Sequence, residues 1–428
     1  MAALERVELL RSKRDIFYLF FLFLLLLTFS LSYKYYHYKE LTKFDSQLVH
    51  ASVLKQYSKT KTTKEGKQKS YQVLKLKSDD GFTFYTTASK NLPNYKDKNI
   101  LMEIWAGKIS FLAYLKGFFA FSKIIKLDKK QNPFKEKIAT TISNAHANQN
   151  ARAIYEALFL AKPLPHHLQQ QFSNLGISHL IAISGFHLGV LSAILFFLIK
   201  YPYKILQNRY FPYRNLQRDT FGIISLFLFA YMLFLGSPPS LLRAFVMLVL
   251  GFVLYDRGIK IISMQTLLLT VLLLIALFPK LLFSIGFFLS LSGVFYIFLF
   301  LIHFQKKSKL WQFVLLPFWV YLMMLPYSLA IFGNFSLYHP LSILWTSLFT
   351  LFYPLSIFLH LIGFGNLLDG ILNMLLQINP HAVKIQLNHT LLYAEILLSL
   401  FAIFKKEALY LLLLLVFSVL IYGIYHIT

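Results

Sequence analysis

The chain has 428 residues, a formal net charge of +25, a hydrophobic fraction of 57 % and no cysteine. The missing cysteine excludes disulfide scaffolds, thiolate metal sites and thiol nucleophiles. Leu- and Phe-rich blocks of about 20 residues, the length that spans a hydrocarbon core, exclude an ordinary soluble domain and predict a polytopic α-helical membrane protein.

Residues 1–14 are polar and carry Arg6, Arg11, Lys13 and Arg14. The apolar run after them, to about Tyr33, has no small-residue cleavage pattern behind it. Residues 1–33 are therefore expected to be an uncleaved anchor with a cytoplasmic N-terminus. Residues 34 to 137 form the long polar segment, and KQYSKTKTTKEGKQK within it holds six Lys against one Glu. The pattern there is strand-like: YQVLKLKS alternates, Asp80-Gly81 supplies a turn, and FTFYTT returns. ILMEIWAGKI reads as a further strand, so residues 34–110 are expected to form a small external β domain. KISFLAYLKGFFAFSKIIKL has apolar residues at helical spacing with Lys interleaved, which predicts an amphipathic interfacial helix. Residues 111–176 are expected to be interfacial helices, broken at Pro163–Pro165.

From 177 to 428 apolar segments dominate. Spans are expected near 177–199, 221–236, 240–255, 261–278, 281–302, 311–332, 341–363, 388–404 and 408–426, about ten with the anchor. Lys200, Lys204, Arg209, Arg214 and Arg218, then Asp256–Lys260, then Lys306, Lys307 and Lys309 fall in loops on the cytoplasmic side. The opposite turns carry almost no charge, which is the positive-inside pattern and places 34–176 on the outer face. Lys405 and Lys406 violate it. The orientation rule does not account for lysines in a long translocated domain, so a polyanionic partner is the sharper reading of that charge.

Within HLIAISGFHLGVLSA, His179 and His187 are eight residues apart, within about 80° of each other on a continuous helix. Ser184 shares that side, and Gly185 and Gly189 form a G-x-x-x-G pair that lets another helix approach. Such residues line a hydrophilic path, bind a ligand, or hydrogen-bond neighbouring helices. A zinc site lacks H-E-x-x-H and a nearby carboxylate, and a Ser–His hydrolase lacks an orienting acid. In GSPPSLLRAFVM, Arg243 lies about one turn inside an apolar run and must snorkel or pair with an anion. Ser290 belongs to a third helix dotted with Ser and Gly.

ARAIYEALFLAKPLPHHLQQQFSNLGISHLIAISGFHLGVL, then GSPPSLLRAFVM, then LYDRGI, then LFPKLLFSIGFFLSLSGVFYI, resembles in content and order the ComEC family of competence DNA-uptake channels. The resemblance covers 151–302 and extends weakly to about 363. It implies an OB-like fold for the outer domain and conduction of single-stranded DNA across the bacterial inner membrane during transformation. A DNA path then takes His179, Ser184, Gly185, His187, Gly189, Arg243 and Ser290. Lys55, Lys59, Lys61, Lys64, Lys67 and Lys69 of the outer domain bind DNA, with Tyr57, Tyr71, Phe82, Phe84, Tyr85 and Trp105 as stacking platforms or barrel core. Partners would be the bilayer, a periplasmic DNA receptor and a cytoplasmic helicase-type protein, with no cofactor and no metal. Many family members carry a metallo-β-lactamase-like domain; no H-x-H-x-D-H occurs here, so no nuclease activity is expected. A membrane hydrolase and a small-solute transporter remain the alternatives, although no inverted repeat is visible.

Overall fold

A computed structural model of the chain describes residues 10, 12–62, 68–93, 95, 98–128, 133–378 and 380–427. It is mostly helical, with a β-sheet region near the N-terminus. Two compact units form, Lys13–Lys137 with Leu272–Ser284, and Ile138–Val271 with Ile285–Thr428.

The first unit starts with α1 (Lys13–Leu41), an apolar helix with Lys39 in its last turn and Leu41 buried at its end. There the Tyr38 hydroxyl donates to the Ile109 carbonyl at 2.8 Å. Six strands follow: β1 (Ser46–Thr62), β2 (Gln68–Ser78), β3 (Thr83–Ala88), β4 (Asn99–Trp105), β5 (Phe118–Phe119) and β6 (Phe121–Asp128). Their order is β5-β3-β2-β1-β4-β6, with β5 parallel to β3 and the other pairs antiparallel. Only Ala120 separates β5 from β6, and its N–H donates to the Tyr85 carbonyl at 3.0 Å. The two ends of the order are thus one bent strand, and the sheet closes into a barrel. Period-two alternation puts Val49, Val53, Leu74, Leu76, Phe84, Ile100, Met102 and Ile104 in its core. β1 leaves β4 after Ser52, at a bulge between Val53 and Lys55, and β2 pairs with β3 only from Gln72 onward, so the outer parts of β1 and β2 extend as a hairpin carrying the lysine-rich stretch.

The expected amphipathic helix after residue 107 is corrected. Its helical part, α2, is only Phe111–Lys116, and the rest is β5 and β6. Gly117 ends the helix at φ 100°, and a Cβ there would meet Thr83 Oγ1 at 3.0 Å. Ser-Lys-Ile-Ile-Lys-Leu then places its apolar residues by strand pairing to β4. The β domain therefore runs to residue 128 rather than 110.

The second unit begins with helices beside which later ones pack: α3 (Pro133–Ala145), α4 (Gln149–Leu160), α5 (His166–Asn174) and α6 (Ser178–Ile181). Then come α7 (Gly185–Tyr210), α8 (Leu216–Phe234), α9 (Pro239–Asp256), α10 (Met264–Leu277), α11 (Ile285–His303), α12 (Lys309–Phe332), α13 (Ser342–Leu361), α14 (Asp369–Gln377), α15 (His389–Ala402) and α16 (Lys406–Tyr425). Among the described residues, seven helices are long and apolar enough to cross a membrane: α1, α7, α8, α11, α12, α13 with the turn before it, and α16. α10 and α15 are apolar but shorter.

Residues 138–181 flank α13 along its length. His339 Nε2 is 3.2 Å from the Ser173 carbonyl before the start of α13, and His146 reaches His360 near its end. Between these points Ile154, Tyr155, Leu158 and Phe172 share a core with Phe349 and Tyr353. A segment too polar to face lipid thus covers one side of an apolar helix.

Candidate functional site

His179 and Ser184 do not lie on one continuous helix with His187, which corrects the sequence reading. α6 ends at Ile181, and Ala182 to Ser184 turn to extended backbone before α7 begins at Gly185. The reason is a capping box. Ser184 Oγ accepts from the Phe186 N–H at 3.3 Å, and His187 Nδ1 accepts from the Ser184 N–H at 3.2 Å. The Ser184 hydroxyl is also 3.2 Å from His187 Nδ1. The Ser–His pair is therefore a helix cap.

Both histidines contact α13, at different points. His179 Nε2 is 3.4 Å from Thr346 Oγ1, on an exposed face. The His187 ring stands edge-on to Tyr353 at 4.6 Å and Phe349 at 5.6 Å. His187 is 1 % exposed. Because Nδ1 is the acceptor, Nε2 carries the hydrogen, and that buried donor has no acceptor.

The G-x-x-x-G pair splits. A Cβ on Gly185 would meet Ala244 Cβ of α9 at 3.1 Å, whereas Gly189 has open space around it. The contact at Gly185 sets Arg243 beside α7. Its side chain neither snorkels nor finds a carboxylate: it is 6 % exposed, its Nε and Nη1 have no partner, and its guanidinium lies 5.6 Å over the Phe287 ring. A cation–π contact offsets only part of the cost of burying that charge. Ser240, three residues earlier, donates to the Ile183 carbonyl at 2.6 Å and ties α9 to the α6–α7 break. Ser290 is on an exposed face of α11.

In the barrel unit, Lys55 and Lys59 are exposed on the hairpin. Lys64 and Lys67 lie outside the described residues. Lys61 and Lys69 pair with each other in the β1–β2 register. Of the aromatics, Phe82 and Phe84 are core, while Tyr57 and Trp105 are exposed and available for stacking. Lys75 over the Tyr85 ring at 5.3 Å adds a cation–π pair.

Three features escaped the sequence reading. Lys280, in a short turn at Pro279–Phe283, faces Lys75, Lys77 and Lys34; burial first, then these three charges, pull it down to about 8. The i, i+2 spacing of Lys75 and Lys77 was the available signal. Glu395 of α15 is fully buried, its Oε1 3.3 Å from the Tyr296 hydroxyl and its Oε2 unpartnered; a lone acid in an apolar block signals such a group. His146 meets Asp369, 223 positions away, with no sequence signal at all. Among the described residues no group of three His, Asp or Glu side chains is placed to hold a metal.

Residues 161–428 match the family model described as "Competence protein". No curated protein and no solved structure matches the chain. The matched stretch contains α6, α7, α9, α11 and α13, the helices that carry His179, His187, Arg243, Ser290 and the Tyr353 face. The chain belongs to the competence protein family and carries its ComEC-type core.

Proposed function

We propose that the protein conducts single-stranded DNA into the cytoplasm across the bacterial inner membrane. In this reading it is multi-pass, with the N-terminus inside and the β domain outside. The observation that carries the reading is two buried donor groups without hydrogen-bond partners among the described residues, His187 Nε2 and Arg243 Nε and Nη1, on neighbouring helices that touch at Gly185 and Ala244. A phosphodiester supplies the acceptors and the negative charge that these groups lack. Among the described residues no carboxylate pairs with Arg243.

The barrel supports the same reading. A closed five-stranded arrangement, with β5–β6 as a single bent strand joining β3 to β4, supports an OB-like reading of this domain. A basic hairpin with exposed Tyr57 suits a single strand, whose backbone follows positive charge while its bases stack. A periplasmic DNA receptor and a cytoplasmic helicase-type motor would deliver and draw the strand.

Deleting the gene should leave labelled DNA bound outside the cytoplasmic membrane and abolish its entry; normal entry would remove the protein from the route. Lys280 adds a pH signature. Its charge is present below about 8 and lost above it, while ordinary lysines stay charged to about pH 10. Binding of a labelled single-stranded oligonucleotide by the purified full chain should therefore weaken as pH rises through about 8. Lys280→Arg should move that decline to higher pH, because guanidinium keeps its proton.

A further inference from the structure

A partly buried chain of hydrogen bonds outside the candidate path joins three elements of the helical unit. His146, between α3 and α4, has Nδ1 at 2.9 and 3.0 Å from the two Asp369 carboxylate oxygens. Its Nε2 is 3.0 Å from His360 Nε2, and His360 Nδ1 is 2.6 Å from the Ser356 carbonyl. The His146 side chain is fully buried and stacks on Tyr155 at 4.4 Å. The titratable and charged groups facing it are Tyr155 and Arg152 from α4, His360 from α13 and Asp369 from α14. Arg152 Nε donates to the His146 carbonyl at 2.6 Å, which fixes the backbone of the turn. A neighbouring Asn148–Asn373 bond at 2.8 Å joins the same segments.

Counting hydrogens shows what the chain requires. Its three gaps need one hydrogen each. The Ser356 carbonyl has none, a carboxylate has none, and two neutral imidazoles have one each. Two hydrogens leave one gap with lone pairs facing each other at about 3 Å. All three gaps close only when the cluster takes up one more proton, giving an imidazolium beside the carboxylate.

We propose that Asp369, His146 and His360 form a proton-binding site that latches the α3–α4 segment to α13 and α14. With the proton bound, the latch is closed. When it leaves, as pH rises, one bond is replaced by repulsion inside a partly buried cluster, and the segments part. The inference rests on these contacts alone and not on the passage of DNA. Its reach is wider, because α13 also presents Phe349 and Tyr353 to His187.

Hydrogen–deuterium exchange on the purified full-length protein in detergent tests it, with rates normalised for the intrinsic pH effect. Protection of the peptides covering residues 138–160 and 365–377 should fall about tenfold or more as pH rises between about 5 and 9, the weight of one charge-assisted hydrogen bond. Asp369→Asn is the decisive variant. Its carboxamide N–H can donate to His146 Nδ1, His146 to His360, and His360 to Ser356, filling all three gaps with no ionisable carboxyl. It should stay protected at every pH. His146→Ala should be unprotected at every pH. Flat protection in the unmodified chain, a pH profile in Asp369→Asn that tracks the unmodified chain, or loss of protection in Asp369→Asn at all pH values would each overturn the proposal.

Discussion

Arg243→Met raises the thermal stability of the purified protein and at the same time abolishes entry of DNA into the cytoplasm. The two effects have one cause. A guanidinium that is 6 % exposed, with Nε and Nη1 unpartnered, is a buried charge compensated only in part by the Phe287 ring. Replacing buried charge by an apolar side chain of similar volume typically gains about 1–4 kcal/mol, and Met keeps the packing over Phe287. The melting temperature should rise by several degrees. The same change removes a charged donor beside the α7–α9 contact. Each charged hydrogen bond to phosphate is worth about 1.5–3 kcal/mol, or about ten- to a hundredfold in rate, and every nucleotide of the strand meets the loss in turn. Transformation frequency alongside immunoblotted protein level checks both parts. A variant that is less stable, or that transforms normally, contradicts the role given to Arg243.

Gly176→Ala destabilises the helical unit far more than Gly258→Ala. Both glycines have positive φ, 74° and 72°. An alanine pays about 1–2 kcal/mol for that conformation. The surroundings differ. At Gly176 a Cβ meets the backbone of His339 at 3.3 Å and its ring at 3.1 Å, while at Gly258 nothing lies within 4 Å. Overpacking adds about 1–3 kcal/mol at the first site alone. Because the Gly176 turn seats α6 on α13, displacement there also moves His179 from Thr346. Gly176→Ala should lose both stability and transformation, and Gly258→Ala should lose at most the backbone term. Equal melting temperatures for the two variants would show that the Gly176–His339 contact is not tight.

Much of the architecture was legible in residue patterns. Blocks of Leu and Phe located helices near the expected spans, although among the described residues seven rather than about ten are long and apolar enough to cross a membrane and 177–199 is broken before Gly185, and alternation in YQVLKLKS and FTFYTT located β2 and β3. The errors have physical causes. Apolar residues with interleaved Lys fit helix and strand alike over short stretches, and only pairing to β4 decides residues 121–128. Ser184 looks like a polar point on a helix until its Oγ is seen capping one. Gly185 and Gly189 look equivalent, yet only Gly185 has a helix against it. Arg243 was legible as an anomaly because charge in an apolar run demands explanation. The Asp369–His146–His360 chain was not, because its members fall on three elements far apart in sequence.

The central proposal is that DNA passes beside His187 of α7 and Arg243 of α9. Photocrosslinking tests it most directly. A photoreactive phenylalanine analogue placed at Phe349, beside His187, or at Phe287, under Arg243, should attach to labelled DNA caught during uptake. The same analogue at Phe197 of α7, which is 66 % exposed, should not. Cells that transform normally with the probe at Phe349 and Phe287, but yield no DNA adduct at either, would contradict the account.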